Sequence, residues 1–296
     1  MKYRILGKTG LNVSVIGLGA WQFGGEWGRS YSASDVRAIL DKARECGINL
    51  IDTAECYGDH LSESLIGSCV ARRRSQWVIA TKFGHQFHSF LDRSEHWSPP
   101  EVEKQLEASL QALRTDYVDI YQFHSGSDEV FRQDDLWEML NKKVQAGKIR
   151  HLGISLSRMK NRSQVEAASK YNCSVVQIYY NRLAQEPEAE LFPFCQRQNL
   201  GVLARVPLAS GLLSGKYKPG VAFPENDVRS NRNPKQLERD LQRVAEIQRN
   251  EVRPGVPMAQ WALAWCLRHP AVTCVIPGCK DASQVEANAK AADLEL

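Results

Sequence analysis

Eight short runs of continuous apolar residues recur along this chain, separated by stretches of helical periodicity. They fall at 13–19, 48–53 (INLIDT), 77–81 (WVIAT), 117–123 (YVDIYQF), 149–154 (IRHLGI), 175–180 (VVQIYY), 201–208 (GVLARVPL) and 272–277 (VTCVIP). Continuous rather than alternating apolarity means burial on both faces, the condition of a strand in a parallel sheet. The intervening stretches carry helix signals. Val36, Ile39, Leu40 and Ala43 share one helical face, and Gly47 follows as a stop. Ser98-Pro99-Pro100-Glu101 is a capping box with proline at the first helical position, and Val102, Leu106, Leu110 and Leu113 form the stripe behind it. Leu136, Met139, Leu140 and Val144 repeat the pattern and end at Gly147. Pro257 opens a further helix through Trp261, Leu263 and Trp265 that stops at His269-Pro270.

Strands that alternate with helices specify a parallel α/β fold, and eight of them fit a closed (β/α)8 barrel of the TIM type better than an open sheet. Residues 1–12 (MKYRILGKTGLN) predict a β-hairpin turning at Lys8-Thr9-Gly10 and covering one end of the barrel. The longest stretch without a strand, 209–256, holds a Gly/Pro-rich loop and an extra polar helix near 234–249. With no linker or low-complexity tract, residues 1–296 read as one domain. Lys+Arg 38 against Asp+Glu 34 is too even a balance for a nucleic-acid or anionic-membrane partner. The eight cysteines form no CxxC pair and sit mostly in apolar runs, so they read as reduced thiols of a cytoplasmic protein. No apolar run approaches the roughly 20 residues that span a bilayer.

Functional residues of a β/α barrel lie at the C-terminal ends of its strands. Here those ends carry Asp52, Lys82, His124, Ser155, Gln177 with Asn181, and Arg205. Asp52 and Lys82 end neighbouring strands, so their side chains can meet, either as a structural ion pair or as part of a site. Tyr57 lies five residues past Asp52 in the loop above. A phenol titrates near about pH 10, and a nearby ammonium lowers that value. Asp52 would hold Lys82 charged, and His124 could donate to a substrate oxygen.

The whole chain resembles the aldo-keto reductases. The likeness is carried by LGKTGLNVSVIGLGAW (6–21), IDTAECYGDHLSESLIG (51–67), ATKFG (80–84), LRTDYVDIYQFH (113–124) and GKIRHLGIS (147–155). It continues through VVQIYYN (175–181), PLASGLLSGKY (207–217) and VIPGCKDASQVEAN (275–288). The resemblance implies a barrel that binds a nicotinamide cofactor without a Rossmann fold, and a catalytic tetrad of Asp52, Tyr57, Lys82 and His124. It implies hydride delivery to an aldehyde or ketone, with Tyr57 as proton donor and His124 placing the carbonyl oxygen.

The cofactor contacts implied are Gly19, Ala20 and Trp21 at the mouth beside Asp52, and Ser155 with Gln177 on the carboxamide. Arg205 stands where relatives stack an aromatic residue on the nicotinamide; it could stack in turn or bind phosphate. Pro207, Leu208, Ser210, Gly211 and Leu213 match the loop over the pyrophosphate, with Lys216 as a charge partner. Gly278, Lys280, Ser283, Gln284 and Asn288 match the adenosine end. Two further departures from the family pattern are Leu156, where an asparagine is usual, and Gln284, where an arginine often grips a 2′-phosphate. Lys280 and the helix start favour phosphate, so NADP is the expected cofactor and NAD the alternative.

Other features point less far. Gly17, Gly19, Gly24 and Gly25 lack the third glycine and acidic partner of a dinucleotide loop. His85, His88 and His96 crowd one loop without a carboxylate or cysteine at ligand spacing, so no metal is expected. Trp21, Phe23, Trp27, Phe87 and Phe90 are candidate walls of an apolar pocket. The expectation is a free enzyme, a monomer or weak homo-oligomer acting on a small carbonyl compound, with a short C-terminal tail after the last helix signal. The alternative is a cofactor-bound regulatory protein resembling the potassium-channel beta subunits.

Overall fold

The computed structural model describes residues 1–157 and 161–296. It opens with an antiparallel hairpin of β1 (Tyr3–Ile5) and β2 (Asn12–Ser14). The barrel strands follow as β3 (Leu18–Gly19), β4 (Leu50–Asp52) and β5 (Val78–Phe83). A second antiparallel hairpin, β6 (His85–Ser89) and β7 (Asp92–Glu95), interrupts them. The barrel then resumes with β8 (Val118–His124), β9 (Ile149–Ser155), β10 (Cys173–Tyr179), β11 (Gly201–Arg205) and β12 (Cys274–Ile276).

Eight strands lie side by side in the order β12-β11-β10-β9-β8-β5-β4-β3, all parallel. The ends of this sheet meet. Gly17 N–H donates to Val275 O at 2.8 Å, Gly19 N–H to Pro277 O at 2.9 Å, and Val275 N–H to Val15 O at 3.0 Å. Ile16 and Gly19 thus bridge Val275 and Gly278 and close the barrel. Every expected strand is present, but the 13–19 run divides: its first residues complete the hairpin through β2, and only Leu18–Gly19 joins the barrel as β3.

The expected helices form around the barrel as Ala33–Glu45, Pro99–Leu113, Asp134–Gln145 and Met258–Arg268. The capping box at Ser98 and Glu101 is made, and Ser32 with Asp35 forms another. The extra helix Pro234–Asn250 buries only Leu241, Val244 and Ile247, which accounts for its polar sequence. Among the described residues no helix is long and apolar enough to cross a membrane. All eight cysteines are unpaired thiols.

The opening hairpin plugs the barrel floor. Leu6 and Val13 are fully buried against Leu50, Ala80, Ile120, Val175, Leu203 and Cys274, which point inward from six strands. Arg4 fastens it by donating to Val272 O at 2.5 Å and Leu267 O at 3.0 Å. With its floor sealed, the barrel has its C-terminal rim left for a site. Removing the Leu6 plug should open a cavity the backbone strands cannot close. We expect Leu6→Ala to lower unfolding free energy by about 2–5 kcal/mol, read from urea denaturation.

Candidate active site

The end of β4 delivers Asp52 and Thr53, and the next turn lifts Tyr57 above them. That turn is fixed by backbone packing: a Cβ on Gly24 would lie 2.6 Å from the Tyr57 carbonyl carbon, and one on Gly58 2.6 Å from Gly24 O. Two glycines therefore let the first loop sit directly on the Tyr57 turn. Below it, Thr53 Oγ1 meets Ser62 Oγ at 2.9 Å, and Ser62 donates to Ala20 O at 3.0 Å.

Lys82 rises from β5 into this cage and is wholly buried. Its ammonium donates to Asp52 Oδ2 at 2.8 Å, Thr53 O at 2.6 Å and Tyr57 Oη at 3.2 Å. Burial alone would lower the Lys82 pKa, but Asp52 and Tyr57 outweigh it and hold the pKa above its ordinary value. The other Asp52 oxygen accepts from Gln177 Nε2 at 2.6 Å and Gln122 Nε2 at 3.1 Å. Gln122 lies two residues before His124 on β8, and strand alternation turns the two to the same side, a signal the sequence carries without a motif.

His124 ends β8 with its ring 6.3 Å from that of Tyr57, nearly perpendicular to it. Its Nδ1 lies 3.8 Å from Cys56 Sγ, and its carbonyl oxygen meets His85 Nε2 at 2.6 Å. Burial drives the His124 pKa well below its ordinary value, and Lys82 acts in the same direction, so the imidazole is neutral. Burial also pushes Tyr57 up to about 12, against the pull of Lys82. This reverses the expectation from Lys82 alone: removing the phenolate from water costs more than an ammonium already shared with Asp52 returns. The four expected residues thus converge on one mouth, with a neutral phenol and a neutral imidazole facing each other.

The residues implied for the cofactor occupy the other half of the rim. Ser155 Oγ lies 3.3 Å from Gln177 Oε1 at the tops of β9 and β10. Arg205 ends β11, donates to Leu156 O at 2.9 Å and lies 5.5 Å from the Tyr179 ring centroid. Leu156 itself is buried. The loop after β11 contains Pro207 and Leu208 and becomes the turn Ala209–Ser214. Val206, Ala209, Ser210 and Gly211 all have positive φ there, a sequence of left-handed residues that three non-glycines gave no sign of. Arg232 leans onto it, donating to Ser210 Oγ at 3.2 Å, while Lys216 is exposed nearby. The Leu213 side chain is buried in the core, and its backbone N–H donates to Leu208 O at 3.1 Å.

At the adenosine end, Asp281 caps the helix Ala282–Ala289, accepting from Gln284 N–H and Ser283 Oγ. Gln284 Oε1 accepts from Lys280 N–H at 2.9 Å, and Asn288 Nδ2 contacts Cys279 Sγ at 3.3 Å. Arg29, not anticipated, reaches this corner from the first loop and donates to Lys280 O at 3.1 Å. Gly19 pairs with Gly278, so these glycines serve barrel closure. The Gln22 amide covers Gly278 so closely that a Cβ would lie 2.1 Å from its Oε1, a buried atom with no partner among the described residues. Such a rim, with cations at the loop after β11 and at the last helix, fits an elongated anionic dinucleotide.

The segment holding His85 and His88 is the β6–β7 hairpin rather than a loop. His88 and His96 share Ser94 Oγ at 2.7 and 2.8 Å, and His96 Nδ1 pairs with Glu101. The hairpin is clamped over the mouth by buried Glu26, which accepts from Trp21 Nε1 at 2.8 Å, Leu91 N–H at 3.0 Å and Arg93 Nη2. Trp21 stacks on Tyr57 at 5.9 Å and meets Trp27 edge-on at 5.2 Å. Phe23 is not a wall residue: it is fully buried against Tyr31, because the short helical turn Trp21–Gly24 points it into the core. Phe90 is exposed near the hairpin's turn.

A sequence model described as the Aldo/keto reductase family matches residues 15–296. An aldo-keto reductase named yakc [NADP(+)] from Schizosaccharomyces pombe is 31% identical over 96% of this chain and 85% of that protein. A probable voltage-gated potassium channel subunit beta from Arabidopsis thaliana is also 31% identical, over 99% of this chain and 92% of its own length. Among solved structures, the holo form of aldo-keto reductase AKR11C1 from Bacillus halodurans superposes with a TM-score of 0.83 at 30% identity, covering 100% of this chain and 92% of that one.

The buried pair makes its own prediction. Lys82→Met leaves the Asp52 carboxylate uncompensated and should cost about 3–5 kcal/mol in urea unfolding. Adding Asp52→Asn to it should recover part of that loss. A double variant less stable than the single would show that Asp52 is held by its glutamines alone.

Proposed function

The chain belongs to the aldo/keto reductase family of oxidoreductases, and we propose that it reduces a small aldehyde or ketone to an alcohol with NADPH. The observation that carries this reading is the Lys82–Tyr57 contact at 3.2 Å inside a cage closed by Asp52, with the His124 ring opposite the phenol. Ser155 and Gln177 would hold the carboxamide of the nicotinamide, the loop after β11 with Lys216 and Arg232 the pyrophosphate, and Lys280 with Arg29 the 2′-phosphate. When bound, the reduced cofactor supplies hydride to the carbonyl carbon.

The chain's own residues handle the charge and the proton. As negative charge grows on the substrate oxygen, Tyr57 Oη gives up its proton to it. Lys82, already 3.2 Å away, stabilises the phenolate left behind, and Asp52 keeps Lys82 in place. The Cys56 thiol stays protonated because burial raises its pKa. It can donate to His124 Nδ1, which leaves Nε2–H as the donor that polarises the carbonyl. Trp21 and Trp27 present an apolar wall beside Tyr57 that excludes water from the proton transfer.

Tyr57→Phe should bind NADPH normally yet lose at least about 10²-fold in kcat, the scale of a missing general acid. Near-normal turnover in a stopped-flow assay with 4-nitrobenzaldehyde would discard the assignment. The pH dependence follows from burial of the phenol. Its proton stays on through the neutral range, so reduction should be flat from roughly pH 6 to 9 while alcohol oxidation, which needs phenolate, gains about tenfold per unit. A second reading, an auxiliary subunit that senses cofactor, is favoured by likeness to the plant channel protein. It predicts tight NADPH binding without steady-state turnover of any aldehyde.

Arg205 sets a further test. A guanidinium stacked on the nicotinamide repels the oxidised cation and should favour the reduced form by about 1 kcal/mol, roughly five- to tenfold in affinity. Arg205→Tyr should narrow that ratio when both forms are titrated by tryptophan fluorescence. An equal, salt-sensitive loss for the two forms would place Arg205 on phosphate instead.

A further inference from the structure

Glu55, Cys56 and His124 bring three different donor atoms together at the floor of the mouth, all within 4.8 Å of one another. Glu55 and Cys56 are each 2% exposed, and His124 is half-buried. One Glu55 oxygen accepts from His85 N–H at 3.0 Å; the other, Oε2, is buried with no partner among the described residues. Such an atom is costly unless something completes it. Proposed carbonyl reduction uses neither the Glu55 carboxyl nor the Cys56 sulfur as a reacting group.

The chemistry of the three donors selects the occupant. A thiolate and an imidazole favour zinc or cadmium over magnesium or calcium, and the carboxylate supplies a second anionic ligand. Two anions and a neutral ring match a divalent charge, and three protein ligands leave a fourth position toward the mouth. Burial holds the Cys56 thiol and the Glu55 carboxyl above their ordinary pKa, so each releases its proton to solvent as the ion binds. Lys82, Arg93 and Arg205 press positive charge on the His124 ring, and the two anionic ligands must offset it.

We propose that Glu55, Cys56 and His124 form a reversible site for zinc or a similar soft divalent ion, and that filling it switches carbonyl reduction off. Tetrahedral zinc with bonds of about 2.0–2.3 Å needs its donors roughly 3.5 Å apart. Cys56 Sγ and His124 Nδ1, at 3.8 Å, are already near that spacing, so the ion takes Nδ1 from the Cys56 thiol with little movement of the ring and turns its fourth position to the mouth that the carbonyl oxygen would enter. The switch rests on the reductase reading of His124; the site itself does not.

The experiment therefore reads binding and activity separately. The full chain, with and without NADPH, is titrated with cadmium while the thiolate-to-metal charge-transfer absorbance is recorded. We expect saturation at one equivalent, displacement by zinc, and loss of at least tenfold in affinity in both Cys56→Ser and Glu55→Gln. X-ray absorption of zinc-loaded wild type, which needs no variant, should show one sulfur among nitrogen and oxygen donors. Zinc should lower kcat at least tenfold, reversibly by EDTA, and each variant should need at least tenfold more zinc for the same effect. No saturable absorbance, none or two sulfurs, or a band kept by Cys56→Ser through partly exposed Cys46 or Cys69 would overturn the site. Metal bound at the site with turnover unchanged would overturn the switch. If no carbonyl compound is reduced at all, the absorbance still decides the site and only the reductase reading falls.

Discussion

An ammonium taken wholly out of water must have each of its three N–H groups met, and Lys82 has them met by a carboxylate, a carbonyl and a phenol. Two of these acceptors come from the end of β4, and the third from the turn that follows it. The free oxygen of Asp52 is then held by Gln122 of β8 and Gln177 of β10. One buried charge thus ties four strands together inside the barrel. The arrangement requires that β4, β5, β8 and β10 face a common interior, which exists only because β3 and β12 close the sheet. Barrel closure and site geometry are therefore the same constraint seen at two scales.

At Tyr57 two opposing effects are of comparable size, and burial prevails. Opposite charges at about 3–4 Å attract strongly in a poorly polarisable interior, but desolvation of the phenolate grows in the same surroundings. Lys82 already divides its field between Asp52 and Tyr57, so the phenol ends above its ordinary pKa. His124 is neutral for the same reason. A proton donor for a developing alkoxide, the role proposed for Tyr57, needs to keep its proton until the charge appears, and burial beside a fixed cation meets that need.

Much of this was legible in the sequence, because the barrel strands are buried on both faces and announce themselves by continuous apolarity. Their polar ends gave the tetrad its positions, and the capping box at Ser98 gave a helix start. What was not legible depends in part on contacts distant along the chain and in part on local turns that residue type does not announce. The β6–β7 hairpin has no apolar face, and Glu26 clamps it from sixty-odd residues away, so nothing local marks it. Phe23 reads as a pocket aromatic until the turn Trp21–Gly24 directs it inward. The run at 13–19 serves two elements because Ser14 exchanges hydrogen bonds with Asn49, ending the hairpin before the barrel strand starts. Left-handed Val206, Ala209 and Ser210 lie outside any residue preference.

The two halves of the rim answer to different kinds of evidence. The half that would hold the cofactor is built from backbone turns and helix starts on consecutive strands, so its residues appear in order and match family motifs. The opposite half is assembled by Glu26, Arg93 and Trp21, which meet only when the hairpin folds back over the first loop. Trp21 is fixed through its indole N–H, so the wall it forms beside Tyr57 depends on a carboxylate that touches no reacting atom. Arg93 bridges that carboxylate to Cys56 O, next to His124. Pocket shape and tetrad geometry are thereby coupled through one buried ion pair. Rebuilding this clamp would reshape the mouth while the Lys82 cage below stays as it is.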